Sequence, residues 1–354
     1  MDQEKKIRFL RAALYFSFGA FVVLWSLLLM GGCTPQNGEK AATKSNRVVL
    51  YCSVDDVYAK PLIQKLEAQT GLQIDALFDT EATKTAGLAN RIRAERNRPR
   101  ADVFWSSALL QTLLMSEEKL LAEYDSPSAR DLPAQFRGKT WAGVGTRGHI
   151  LVSSMPNGVT NKILPPTGVF GRHVPKGMSN PQFGTASDWS AALGTRIPNV
   201  LTYFEAMAKG KVRIFPGNGD VARAVGDGAL RFGITDSDDF LAQKRAGKPI
   251  FLVKTTDDFV LVPGAVSVLN DAPHPENAQK LFDAIVSAQN EKALTQQMPG
   301  VFSLRHMNEK TNWQSGGVDF SFLQNAPHDP DDYTKWATTW KEIREPLNQI
   351  FASK

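Results

Sequence analysis

RVVLYCSVDD, residues 47–56, opens the folded part of the chain and sets its class. Val48 to Cys52 is an uninterrupted apolar run of five, too short for a helix, so Arg47 to Val54 reads as a buried strand. An acid pair, Asp55-Asp56, follows as candidate N-cap. Val57 to Thr70 then carries apolar residues at helical spacing (Leu62, Ile63, Leu66) and stops at Gly71. Leu72 to Phe78 is the next strand. Thr83 to Arg98 reads as a basic amphipathic helix ended by Pro99, Ala101 to Trp105 as a short strand, and Ala108 to Tyr124 as a helix. This strand–helix alternation implies an α/β unit with a mainly parallel sheet.

The alternation resumes at His149 to Ser154, a strand, after which Pro156 to Phe183 is rich in Gly and Pro and reads as loop. Helices are expected over 187–193 and 197–209, a strand over 212–215, a helix over 220–227, a strand over 230–235 and a helix over 237–246. Strands over 249–254 and 260–269 and helices over 275–298 and 331–350 complete the chain, with no internal repeat. Two α/β units predict a bilobal fold. The first lobe is expected over 47–147 plus 267–354, the second over 155–257, with hinge strands at 148–154 and 258–266. Ligands in such folds sit beyond the carboxyl ends of strands, near helix N-termini.

Upstream of this region, Lys5, Lys6, Arg8 and Arg11 precede Ala12 to Met30, which has no charge and no Pro, and then Gly31-Gly32-Cys33. A basic start, an apolar run and small residues before a Cys resemble the bacterial lipoprotein signal, in which the thiol is lipidated and becomes the new N-terminus. Residues 1–32 would then be removed, Cys33 would hold the lipid, and polar residues 34–46 would form a flexible tether. An uncleaved helix is the other reading, because this run can span a bilayer core of about 30 Å. Either way the protein is expected outside the cytoplasm, held at the cell membrane. Without residues 1–32 the formal charge falls from +5 to +3, spread along the chain, which points to no nucleic-acid partner. Cys52 sits in the apolar strand and is expected to be an inert buried thiol, with no disulfide.

Chemistry is expected at the strand ends, which are acidic: Asp55-Asp56, Asp79-Thr80-Glu81 and Asp236-Ser237-Asp238-Asp239. Clustered carboxylates need a cation or donors to neutralise them. A hard metal ion or an organic cation would serve, and helix capping is the competing role for each single Asp. Thr185-Ala186-Ser187 and Asn218 lie where small residues let backbone N–H groups approach an anion at a helix start. Trp105, at a strand end beside Ser107, is placed either to stack on a planar ligand or to pack the lobe edge. Enzyme signatures are missing: there is no Gly-x-Ser-x-Gly elbow, no His-Glu-x-x-His helix and no P-loop. The histidines His149, His173, His274, His306 and His328 are scattered without metal-ligand spacing, and His274 reads as a helix start.

The residues resemble a known family. Val48-Val49-Leu50-Tyr51, the acid pair, Thr70-Gly71 and Ala101-Asp102-Val103-Phe104-Trp105 are similar to the first lobe of ferric-iron-binding proteins, the extracytoplasmic receptors of ABC importers. The likeness continues through Val225-Gly226-Asp227-Gly228-Ala229-Leu230 and Ala272-Pro273-His274-Pro275-Glu276-Asn277-Ala278, covering roughly 47–300. The resemblance implies a periplasmic-binding-protein-like fold and a metal site, from which this chain departs. Where the family has adjacent iron-binding tyrosines it has Asp238 and Asp239; a family histidine falls at Asp55 and a family glutamate at Ser107. Thr185, Ala186, Ser187 and Asn218 match the helix starts that receive an anion beside the metal.

The expectation is therefore a receptor, not an enzyme. It would be a monomeric lipoprotein that captures a solute between its lobes and passes it to an ABC permease and its ATPase. Ferric iron or an iron complex, held by Asp55, Asp238 and Asp239 with a co-bound anion, is the leading ligand. A thiamine-like or polyamine cation, or an oxyanion, is the alternative within the class; a secreted hydrolase is the alternative outside it.

Overall fold

The computed structural model of the chain describes residues 45–79, 85–156, 174–254, 259–325 and 332–352. Cys33, Glu81, His173 and His328 lie outside the described residues. β1 (Arg47–Cys52) runs parallel to both β2 (Gln73–Phe78) and β3 (Val103–Ser106). Between β1 and β2, α1 (Asp56–Thr70) buries Ala59, Leu62, Ile63 and Leu66, one stripe at helical spacing. It ends at Gly71, whose φ of 67° lets its amide donate to the Glu67 carbonyl. α2 (Ala86–Ala94) and α3 (Leu110–Glu117) are shorter than their sequence patterns suggest. After α3 the chain reverses through Lys119 at φ 57°, and Leu121 bridges Leu269 at the sheet.

β4 (Ala142–Ser153) is twice as long as the strand expected from His149 onward, because Gly143, Gly145 and Gly148 conceal its first half. It organises the molecule. Over Ala142 to His149 it pairs antiparallel with β9 (Val260–Val268), which also pairs with β3. Over His149 to Ser153 it pairs antiparallel with β7 (Phe232–Asp236). Beyond β7 lie β5 (Lys176–Ser179) and β6 (Arg213–Phe215), giving the order β2-β1-β3-β9-β4-β7-β5-β6. Two short strands, β8 (Phe251–Val253) and β10 (Val301–Phe302), also pair with β4. β5 lies within the stretch 156–183, whose Gly and Pro content predicts loop; its four residues, Lys-Gly-Met-Ser, carry too little apolar signal to stand out.

The second lobe carries α4 (Gly184–Arg196), α5 (Val200–Lys209), α6 (Asn218–Gly226) and α7 (Ser237–Arg245). The helix expected over 275–298 is two, α8 (Pro275–Val286) and α9 (Ala288–Gln297). They are divided at Ser287, whose hydroxyl caps α9 by accepting from the Asn290 amide. The last helix, α10 (Asp332–Ala352), packs on α4 and α5 as well as on α3. It therefore contacts helices from both of the expected lobes. The result is a mixed α/β bilobal fold whose lobes share strands β4 and β9.

The ladder between those two strands is irregular between Gly143 and Thr146, upstream of the hinge expected at 148–154. There Gly145 takes φ 66° and donates its amide to the buried carboxylate of Glu291 on α9 at 3.3 Å. A Cβ at Gly145 would lie 2.8 Å from Val301 Cγ1, so a larger residue would disturb this crossing.

Candidate ligand-binding cleft

Strand register builds the floor of the cleft. His149 on β4 is directly opposite Asp236 on β7, and its Nδ1 donates to Asp236 Oδ1 at 2.6 Å. Arg147, two residues earlier, projects from the same face. Its Nη1 donates to Asp238 Oδ2 at 2.8 Å and stands 4.0 Å from Asp236 Oδ2. All four side chains are buried. Burial alone would favour uncharged forms. For Asp236 the bonds from His149, the charge of Arg147 and the Thr185 hydroxyl outweigh it and hold the carboxyl below its usual range. Burial likewise opposes the Arg147 charge, but Asp238, Asp236, Asp55 and Asp239 together push its pKa further up.

Helix N-termini form the adjoining wall. Thr185, at the start of α4, donates its hydroxyl to Asp236 Oδ2 at 2.7 Å. Asn218, at the start of α6, donates to the same oxygen at 2.9 Å and to Thr185 Oγ1 at 2.6 Å, while Ser179 donates to Asn218 Oδ1. From the first lobe comes a buried hydroxyl group: Ser53 is 3.1 Å from Thr85 and 3.4 Å from Ser107, and it accepts the Ser107 amide at 2.9 Å. Thr85 adopts φ 69°, rare for a β-branched residue. Ser107, Arg147, Ser179, Thr185, Asn218 and Asp239 all line one cavity of about 30 Å³, with Asp236 in its wall. The space is that of one or two water molecules, so a larger solute enters only if the walls move apart.

The expected site residues divide accordingly. Ser107, Thr185, Asn218, Asp236 and Asp239 meet at the cavity, and Asp238 stands behind it on Arg147. Asp55 is near enough to act on the Arg147 charge across the cleft, and it takes the N-cap position of α1 without a side-chain cap bond. Asp56 is exposed and paired with Lys60 at 2.7 Å, one helical turn on, so it is a surface residue and not a ligand group. Asp79 accepts the Leu88 amide at 3.1 Å in α2. Trp105 is wholly buried in the core, which excludes stacking on a ligand in this arrangement. Ala186 and Ser187 are buried in α4 away from the cavity lining, and the Ser187 hydroxyl donates to the Gly184 carbonyl. Cys52 is buried with its thiol pushed up to about 12 by burial, as its inert reading expects.

Arg147, His149 and the hydroxyls of Ser53 and Thr85 were not legible as site residues. Their roles arise from pairing between distant strands, and Arg147 lies in a glycine-flanked stretch before the strand expected from His149. Tyr58, half-buried on α1, is a further member. Burial and the charges of Asp238, Asp55 and Asp239 push its phenol pKa up. Its period-four place beside Leu62 gives it the appearance of an ordinary helix-face residue.

A family model for bacterial extracellular solute-binding proteins matches residues 51–297. The chain belongs to this family. It is a solute-binding protein of the ABC-transporter class, acting outside the cytoplasm with a small ligand and a permease as its partners. Solved structures share the fold. Iron-bound HitA from Pseudomonas aeruginosa is 18% identical with a TM-score of 0.70, covering 85% of this chain and 99% of that one. AfuA from Actinobacillus pleuropneumoniae, with exogenous fructose-6-phosphate bound, is 20% identical with a TM-score of 0.69, covering 86% and 97%. The ferric binding protein from Campylobacter jejuni is 15% identical with a TM-score of 0.68, covering 86% and 99%. No curated protein sequence matches this solute-binding protein.

Proposed function

We propose that this solute-binding protein captures a small hydroxylated organic anion, of the sugar-phosphate class, between its lobes and delivers it to the permease. The state of the acids carries this reading. Asp236 already accepts from His149, Thr185 and Asn218, and Asp238 is bonded to a buried arginine. A bare ferric ion there would face the positive charge of Arg147 and compete with four internal donors. An anionic group suits the N-termini of α4 and α6, with Ser107 and Arg147 as added donors. Asp239, on the same wall, accepts from ligand hydroxyls. That AfuA, a structural relative, carries fructose-6-phosphate is consistent with this chemistry on this fold.

Ferric iron is the second reading, favoured by one observation. Asp236, Asp238 and Asp239 each offer a carboxylate oxygen within 4.8 Å of the others, and the charges of Asp238 and Asp239 reach the Tyr58 phenol. Melting of the protein against hexose phosphates, the parent hexoses and ferric salts, with elemental analysis of protein purified without chelator, tests both. A rise in Tm with hexose phosphates alone supports the first reading. Stoichiometric iron with no response to phosphates replaces it with the second.

The lipid anchor belongs to the same proposal. Among the described residues no helix is long and apolar enough to cross a membrane. A lipid on Cys33 would hold the receptor beside its permease. Labelling with a fatty-acid analogue tests this: Cys33→Ala should lose the label, and equal labelling of variant and parent contradicts it.

A further inference from the structure

The end of the first lobe opposite the cleft carries an unbalanced positive charge. β1 and β3 are parallel, so their starts, Arg47 and the residues just before Val103, lie at one end of the sheet. The Asp102 amide donates to the Val49 carbonyl at 2.9 Å, extending that ladder towards Arg100. The ends of α2 and α3 reach the same place, where Arg96, Arg100 and Lys119 line a pocket of about 110 Å³ floored by Ile92, Leu120 and Leu269. Arg98 lies between two of them in sequence. Arg96, Arg98, Arg100 and Lys119 are all exposed, and none forms an ion pair among the described residues. The neighbouring acids are mostly engaged: Glu95 binds Arg91 at 2.9 Å, Glu118 binds Arg93 at 2.7 Å and Asp75 binds Arg47. Asp271, on the pocket rim, is the counter-charge that remains.

We propose that this basic pole rests on the anionic phospholipid surface of the membrane that holds the tether. The inference builds on the lipid-anchor reading. Chain connectivity favours it: β1, whose first residue lies at this pole, is the element the tether enters. On that reading the 13 polar residues 34–46 would act as a flexible linker with a typical reach of about 20 Å. The pole therefore stays close enough to the bilayer for its charges to be felt, and each Lys or Arg near an anionic surface adds attraction. An apolar floor beneath long cationic side chains suits headgroups bearing phosphate. With the pole on the lipid, the cleft at the opposite end of the strands faces away from the surface and stays open to solute; this is the capture pose, which the protein leaves to dock its cleft on the permease.

The test uses the full chain in vesicles, carrying Asn97→Cys at an exposed site and labelled there with a fluorophore; Cys52 is buried and does not compete. Energy transfer to headgroup-labelled lipid is read in phosphatidylcholine alone and with phosphatidylglycerol added. Vesicle flotation is measured in parallel. The expected result is flotation in both lipids, with at least a tenfold rise in the membrane-apposed fraction when phosphatidylglycerol is present. High salt should reverse that rise, as should Arg96→Gln, Arg98→Gln, Arg100→Gln and Lys119→Gln combined. Flotation with energy transfer indifferent to lipid charge overturns the proposal while sparing the anchor. Absence of flotation overturns the anchor, and this proposal with it. If the combined variant melts several degrees lower and the parent signal ignores lipid charge, the cations serve the C-termini of α2 and α3 instead.

Discussion

The Asp188 carboxylate accepts the Leu109 amide at 2.7 Å and the Leu110 amide at 3.0 Å through a single oxygen. Asp188 lies on α4 in the second lobe, and the two amides form the N-terminus of α3 in the first. One helical turn earlier, Thr185 holds Asp236 at the cleft wall. α4 thus touches the ligand site with its first turn and the other lobe with its second. A ligand that shifted the first turn of α4 would therefore act on this contact with α3, and would favour one arrangement of the two only through contacts that differ between them.

Asp188 should make stability depend on pH. Burial pushes its carboxyl up to about 8, against the lowering effect of the two amides. An acid whose folded pKa is raised binds its proton more tightly in the folded state. Its contribution is full below the unfolded pKa near 4 and is lost as pH rises towards about 8. The parent Tm should fall between pH 5 and pH 8.5. Asp188→Asn keeps an acceptor oxygen without the ionisation, so its Tm should fall less. Asp188→Ala removes the acceptor and should cost about 1–3 kcal/mol at pH 5, a deficit that narrows as pH rises and the parent loses stability. Parallel melting curves for parent and Asp188→Asn would show that Asp188 does not titrate in this range.

Arg147 balances two buried acids. Arg147→Met keeps much of the stem but leaves Asp236 and Asp238 without that cation. It should cost about 3–5 kcal/mol near neutral pH. Lowering the pH protonates the uncompensated acids, so the deficit should shrink towards pH 4. Urea unfolding at the two pH values measures both effects, and a deficit unchanged by pH would assign Arg147 a packing role only.

Gly300 meets the start of α7. Its φ is 91°, and a Cβ there would lie 2.6 Å from the Asp238 amide nitrogen and the Ser237 carbonyl carbon. The Ser237 hydroxyl also donates to the Gly300 carbonyl. Gly300→Ala should lower stability by about 1–3 kcal/mol from backbone strain alone and weaken ligand binding by shifting Asp238 and Asp239. Calorimetry and melting on the same variant detect the pair of effects; normal values of both would mean that α7 adjusts at no cost.

Asp238 and Asp239, adjacent in sequence, should separate in function. Asp238→Asn weakens the bond to Arg147 and should cost stability, on the order of 1–3 kcal/mol for a charge-assisted hydrogen bond. Asp239→Asn, at the cavity wall, should leave Tm nearly unchanged and lower solute affinity about tenfold or more. Equal losses in both variants would place the two acids in one shared role.

Much of this was legible in the sequence, for physical reasons. The run Val48 to Cys52 and the stripe Ala59, Leu62, Ile63, Leu66 follow the periods that burial imposes, so the first α/β unit could be read directly. The acids at 236–239 and the helix starts at 185 and 218 stood out as strand-end chemistry. Long-range pairing was not legible. His149 becomes a partner of Asp236 only through the β4–β7 register, and Arg147 only through the same strand crossing between lobes. Three glycines within β4 broke its apolar alternation and hid the element that sets both residues in place. α10 was found, but its span across α3 and α4 is a tertiary property that periodicity does not carry.

The ligand class is tested most directly by titration calorimetry on metal-free protein. A hexose phosphate, the same hexose without phosphate, and a ferric salt are compared on the parent and on the Thr185→Ala, Asn218→Ala double variant. The expected result is tight binding of the phosphate ester, at least a hundredfold loss without the phosphate, and a comparable loss in the double variant. Tight ferric binding that survives the double variant, with no heat from the phosphate ester, would contradict the anion reading and return the cleft to the metal.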